Sequence, residues 1–187
     1  LCLAHMSGNE QKFIQEAFDT NWVVPLGPNV DAFETELENY VGENKKVVAL
    51  TSGTAAIHLA LVACGVRAGD EVITQSFTFC ASANPITYLG ATPIFIDSER
   101  ETWNMDPQLL EEAIKDRIEK TGKNPKAIIA VSIYGMPYKI DEIAEIANRY
   151  DIPIIEDAAD AFGSKYKGQV LGTFGKFGIL SFNGNKM

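Results

Sequence analysis

The sequence predicts an α/β fold with a mainly parallel sheet covered by helices on both faces. Two observations predict it. Strand-like and helix-like stretches alternate along most of the chain. The short stretches 47–50, 127–132 and 153–156 are apolar throughout, as strands buried on both faces are. Such alternation folds most readily as an α/β/α sandwich.

Residues 13–19 read as a short helix, and 21–28, with Trp22, Pro25, Gly27 and Pro28, as an extended loop. Residues 30–41 carry Phe33, Leu37 and Tyr40 at helical spacing. The stretch 47–50 is a strand, and the turn Thr51-Ser52-Gly53-Thr54 leads into a helix over 55–64 that Gly65 stops. Residues 71–74 form the second strand, and 78–88 a helix in which Pro85 makes a kink or stands near the start. A third strand spans 93–96. Asp106 caps a helix over 107–118 with Pro107 at its first position. Strand 127–132, helix 140–150, strand 153–156, a hairpin over 166–170 and a last strand over 178–182 complete the chain.

The 187 residues are enough for one full core or a large fragment of a bigger domain. Hydrophobic residues at 46% and charged residues at 22% are ordinary globular usage, which excludes disorder and collagen-like architecture. A net charge of -9 argues against a general nucleic-acid or anionic membrane surface, although a few local donors can still hold one phosphate. Cys2, Cys64 and Cys80 are odd in number and widely spaced, so neither a disulfide framework nor a zinc pattern follows, and a reduced, cytoplasmic setting is expected. No apolar run approaches a membrane span and no leader pattern opens the sequence. An opening Leu1 and a stop directly after a strand and a polar turn read as a fragment.

In parallel sheets ligands sit beyond the carboxyl ends of the strands. That places candidate chemistry at 51–54, 75–79, 157–160 and 181–186. In Ser52-Gly53-Thr54-Ala55, free N–H groups at a helix start favour an anion; the same pattern also serves as an ordinary N-cap. Asp157 at a strand end faces the crevice and either pairs with a cation or caps Ala158-Ala159. Lys186 follows Asn183-Gly184-Asn185; lysines in polar turns are mostly solvated, and a reactive amine there requires partial burial or cationic neighbours. Phe77 and Phe79 flank Thr78 and suit either stacking on a flat ligand or core packing. His5 and His58 are too isolated for a triad or a metal site, and none is expected.

Four motifs in order carry a resemblance. Thr51-Ser52-Gly53-Thr54-Ala55-Ala56, Ser76-Phe77-Thr78-Phe79, Ile155-Glu156-Asp157-Ala158-Ala159-Asp160-Ala161 and Ser181-Phe182-Asn183-Gly184-Asn185-Lys186 resemble the DegT/DnrJ/EryC1/StrS sugar aminotransferases. The resemblance runs from about His5 to Met187 and covers about half of a family chain. It implies a fold-type I transferase dependent on pyridoxal 5'-phosphate (PLP), with this chain holding the N-terminal segment and most of the large domain, and the C-terminal small domain absent from it. It implies that Lys186 holds the cofactor covalently and moves protons, that Asp157 keeps the pyridine nitrogen protonated, and that Phe79 covers one ring face. Thr54, Ala55 and Ser181 would hold the phosphate, and Asn21, Trp22, Val23 and Val24 would bind the sugar nucleotide. The resemblance also implies that Asp160 would stand near the cofactor, where many members carry Gln or His, which leaves its role open.

The resemblance further implies transfer of an amino group, with glutamate as donor, to a nucleotide-linked 4-keto-6-deoxy sugar in a homodimer with shared sites. Ser181 to Lys186 and Trp22-Val23-Val24-Pro25-Leu26-Gly27 resemble the branch acting on UDP-linked sugars. A dehydratase on the same fold is the competing enzyme, in which His typically replaces the lysine. A non-catalytic cofactor-binding sensor is the competing function of another class.

Overall fold

The computed structural model describes residues 3, 5–42 and 44–186, so Cys2 lies outside the described residues. The first part holds α1 (Glu10–Asp19), α2 (Pro28–Val41), α3 (Gly53–Ala63), β1 (Glu71–Gln75), a 3₁₀ turn (Cys80–Ser82), α4 (Asn84–Tyr88) and β2 (Thr92–Ile96). Then come α5 (Pro107–Thr121), β3 (Ala127–Val131), a 3₁₀ turn (Ile133–Gly135), α6 (Ile140–Arg149), β4 (Ile154–Asp157), β5 (Lys165–Tyr166), β6 (Gln169–Val170) and β7 (Phe177–Ile179).

Five strands form one sheet in the order β2-β1-β3-β4-β7, and every neighbouring pair is parallel. Strands β5 and β6 make the expected antiparallel hairpin. Successive side chains on a strand point to opposite faces. Ile73, Ile128, Ala130 and Ile154 therefore pack against Leu110 and Ile114 of α5 and Ile143 and Ile146 of α6. Their neighbours Val72, Ala127, Ile129, Val131 and Ile155 face the other way, against Ile57, Ala60 and Leu61 of α3 and Ile86 of α4. This is the α/β/α sandwich that the alternation predicted. Each fully buried Ile or Leu contributes about 1.5–3 kcal/mol relative to exposure, so the sheet's central strands hold the fold.

The helices begin and end where local chemistry dictates. The Asp106 carboxylate accepts from Gln108 N at 2.8 Å and Leu109 N at 3.2 Å, Pro107 occupies the first turn, and Gly122 at φ 71° terminates α5 in the left-handed region. In α6, Ile140, Ile143, Ile146 and Ala147 are buried at helical spacing, while Asp141, Glu142 and Arg149 complement the helix dipole.

Three expectations change. The stretch 47–50 is not a strand: Val47 N donates to Glu38 Oε1 and Ala49 N to Glu34 Oε1, and Val48 and Leu50 are exposed. An apolar run becomes a strand only with a ladder partner, and here the carboxylates of α2 take its N–H groups instead. The last strand is Phe177–Ile179, not 178–182, which leaves Ser181 and Phe182 beyond its end. The helix expected over 78–88 is divided at Ala83, and Pro85 stands near the start of α4.

Candidate active site

Asp157 is the last residue of β4, at the carboxyl edge of the sheet, and is only 4% exposed. Its two oxygens have separate donors. Ser82 Oγ donates to Oδ2 at 2.7 Å, and Ala159 N donates to Oδ1 at 3.1 Å. Asp157 thus caps the local turn through one oxygen and is fixed by Ser82 through the other. Burial pushes its carboxyl above the usual range; the Ser82 and Ala159 hydrogen bonds oppose this, the Asp160 carboxylate adds to the push, and the Lys186 ammonium opposes it.

Lys186 is not the solvated turn lysine of the bland expectation. Its Nζ pairs with Asp160 Oδ1, and the two side chains are 15% and 19% exposed. The turn that delivers it is closed by Lys186 N donating to Asn183 O at 2.8 Å. Asp160, whose role the sequence left open, holds the lysine amine beside Asp157.

Ser52 caps α3, its Oγ accepting from Ala55 N at 3.1 Å, which commits the Ala55 N–H to the cap. Thr54 stands in the same first turn, where N–H groups have no carbonyl one turn back and the helix dipole is positive. Gly53 lies against Ser181: a Cβ on Gly53 would come within 3.3 Å of the Ser181 Cβ. The structure therefore joins the helix start to Ser181, from segments far apart in sequence.

Phe79 is 68% exposed, so it is not core, and its neighbour Phe77 packs against Trp103 and Tyr134 with centroids 6.0 and 6.4 Å away. Asn21 adopts φ 61°, and the Trp22 ring lies over Gly27, whose imagined Cβ would stand 2.7 Å from it. Val23 and Val24 are half-exposed. Asn21 N donates to Phe18 O and Trp22 N to Ala17 O, and among the described residues no hydrogen bond joins residues 21–24 to Asp157, Asp160 or Lys186. His58 lies in α3 with its ring packed edge-on to Tyr88, centroids 5.7 Å apart.

Three polar residues were not singled out from the sequence for the contacts they make. Ser82 was hidden in a stretch read as helix, and the signal was a second hydroxyl four residues after Thr78. Glu156 is fully buried, and its carboxylate accepts from Gly172 N at 2.7 Å, Phe174 N at 2.8 Å and Gly175 N at 3.3 Å. That ties to β4 the turn leading into β7 and so to Ser181. Asn104, also fully buried, accepts at Oδ1 from Ile133 N and Gln75 Nε2 and donates to Met136 O, fixing the loops after β1 and β3.

Residues 5–187 match the DegT/DnrJ/EryC1/StrS aminotransferase family. The chain belongs to that family. It is 55% identical over 98% of its length to Bacillus subtilis EpsN, named as a pyridoxal phosphate-dependent aminotransferase, of which it covers 47%. It is 41% identical over 97% of its length to the GDP-perosamine synthase of Escherichia coli O157:H7, covering 48% of that protein. A UDP-2-acetamido-2-deoxy-3-oxo-D-glucuronate aminotransferase of Pseudomonas aeruginosa is 46% identical over 77% of the chain, which covers 38% of that enzyme. The apo form of Spr1654 from Streptococcus pneumoniae, described as a sugar aminotransferase, superposes with a TM-score of 0.88 at 32% identity, over 99% of this chain and 48% of that one. The chain thus spans about half the length of EpsN, the perosamine synthase and Spr1654, and less of the glucuronate aminotransferase.

PLP is the cofactor of this family's aminotransferases; Spr1654 has been solved in both PLP and PMP forms. The residues present fit it. A buried carboxylate suits a protonated ring nitrogen, a half-buried amine stands beside it, and a helix start with a serine hydroxyl against its first glycine suits a phosphate.

Proposed function

We propose that the protein of which this chain is a part transfers an amino group from an amino acid, glutamate as donor, to a UDP-linked 4-keto-6-deoxy sugar. The single observation that carries the reading is the Lys186–Asp160 ion pair within electrostatic reach of buried Asp157, whose carboxylate Ser82 holds at the carboxyl edge of the sheet. When bound, PLP supplies a carbonyl that captures amines and a ring that draws electrons from the reacting carbon.

The chain's own residues do the rest. Lys186 Nζ would hold the cofactor and move the proton at the reacting carbon, and Asp160 Oδ1, paired with that amine, would exchange a proton with it. Asp157 keeps the ring nitrogen protonated. Thr54, the α3 N-terminus and Ser181 hold the phosphate; Ala55 contributes its place in that turn, because its N–H is committed to Ser52. Phe79 covers one ring face. Asn21, Trp22, Val23 and Val24 form an exposed edge for the sugar nucleotide, completed in a homodimer with shared sites. The chain supplies the N-terminal segment and most of the large domain of a cytoplasmic enzyme.

A dehydratase reading draws on a likeness to the Escherichia coli GDP-4-keto-6-deoxy-D-mannose-3-dehydratase, with a TM-score of 0.83 at 29% identity. Lys186 favours the aminotransferase. Relatives named for GDP and for UDP sugars both resemble the chain, so a panel of UDP-, dTDP- and GDP-4-keto sugars with glutamate tests the nucleotide. The UDP compound should show the highest kcat/KM; a much faster dTDP or GDP sugar overturns the UDP assignment.

A further inference from the structure

We infer that Ser82 and Thr78 form a two-hydroxyl positioning relay that sets the ionisation of Asp157 and ties it to the loop carrying Phe79. The inference rests on the cofactor reading above. Ser82 is 1% exposed, and its Oγ lies 2.7 Å from Asp157 Oδ2 and 2.8 Å from Thr78 Oγ1. Ser82 has one proton. A carboxylate only accepts, so that proton goes to Asp157, and the Thr78 hydroxyl must donate to Ser82. The chain of donation runs Thr78 to Ser82 to Asp157, each bond polarising the next.

The groups that face Asp157 are few. Ala159 N donates to Oδ1, Ser82 to Oδ2, and the charged neighbours are Asp160 and the Lys186 ammonium. Only the two donors can be removed without changing a charge. Ser82 belongs to the 3₁₀ turn Cys80–Ser82, which directly follows Phe79, and Thr78 directly precedes Phe79. The residue that would cover the ring is thus bracketed by the hydroxyls that orient the partner of the ring nitrogen. Loss of Ser82 leaves Oδ2 without its donor in a desolvated place, so Asp157 takes a proton more readily and pairs less well with a protonated ring nitrogen.

The test uses a chain of family length and two probes, PLP and its 1-deaza analogue, in which carbon replaces the ring nitrogen. Dissociation constants are measured at neutral pH for the unaltered protein, Ser82→Ala and Thr78→Val. Ser82→Ala should weaken PLP by about tenfold and Thr78→Val by less, because it removes only the outer link. Neither should weaken the deaza analogue. Ser82→Thr, which keeps the hydroxyl, should restore most of the PLP affinity. Equal losses for both probes would make the effect merely structural and overturn the relay, as would unchanged PLP affinity in Ser82→Ala. Failure of the unaltered protein to bind PLP would instead overturn the cofactor reading itself.

Discussion

Glu156 stands opposite Gly178 in the parallel register of β4 and β7, and the turn that Glu156 holds by hydrogen bonds is the one pressed against Gly178. The Glu156 carboxylate takes the Gly172 N–H, and a Cβ on Gly178 would lie 1.8 Å from the Gly172 carbonyl oxygen. A buried acid and a missing side chain therefore act together to seat the strand from which Ser181 and Lys186 follow.

Replacing Glu156 by Ala leaves three partly buried N–H groups, on Gly172, Phe174 and Gly175, without their acceptor. Each orphaned donor costs about 1–3 kcal/mol. Glu156→Ala should lower unfolding free energy by roughly 3 kcal/mol or more, read from urea denaturation at neutral pH, while Glu156→Gln, which keeps one oxygen, should lose less. Equal stability of Glu156→Ala and the unaltered protein would show that the turn holds itself.

Asp157 should make the cofactor-free protein less stable as pH rises. Burial puts its folded carboxyl above the usual range, whereas in the unfolded chain it ionises near about 4. The folded state then keeps a proton that the unfolded state has lost, so stability is full below the unfolded value and is lost as pH rises through the folded one. Asp157→Asn cannot ionise. It should be more stable than the unaltered apo-protein at pH 8, by on the order of 1 kcal/mol, with the difference vanishing toward pH 4. Denaturation curves across that range check this; a variant less stable at pH 8 contradicts it.

Gly27 carries φ 119° with the Trp22 ring 2.7 Å from where a Cβ would be. Gly27→Ala is strained and must displace the ring. If residues 21–24 bind the sugar nucleotide, this variant should raise KM for it about tenfold with kcat little changed, the signature of lost uniform binding. A fall in kcat at unchanged KM would place the loop's role elsewhere.

The sandwich is legible because burial on two faces leaves apolar runs such as Ala127–Val131, and because Asp106 and Pro107 mark a helix start chemically. The stretch 47–50 misled because a strand depends on a neighbour, which composition does not encode. Asp157 and Lys186 were legible as candidates through their motifs. The pairing of Lys186 with Asp160, and the support of Asp157 by Ser82, are not, since those contacts join residues 26 and 75 positions apart. Glu156 was read only as part of a motif, because nothing local to it predicts that its partners lie on the turn after β6.

The most direct measurement is the absorption spectrum of a PLP-loaded chain of family length before and after glutamate is added, beside the same protein carrying Lys186→Ala. Glutamate should move a visible band into the near ultraviolet, and the variant should show neither that band nor turnover. An unchanged spectrum with glutamate, or the same visible band in Lys186→Ala, would contradict the aminotransferase reading.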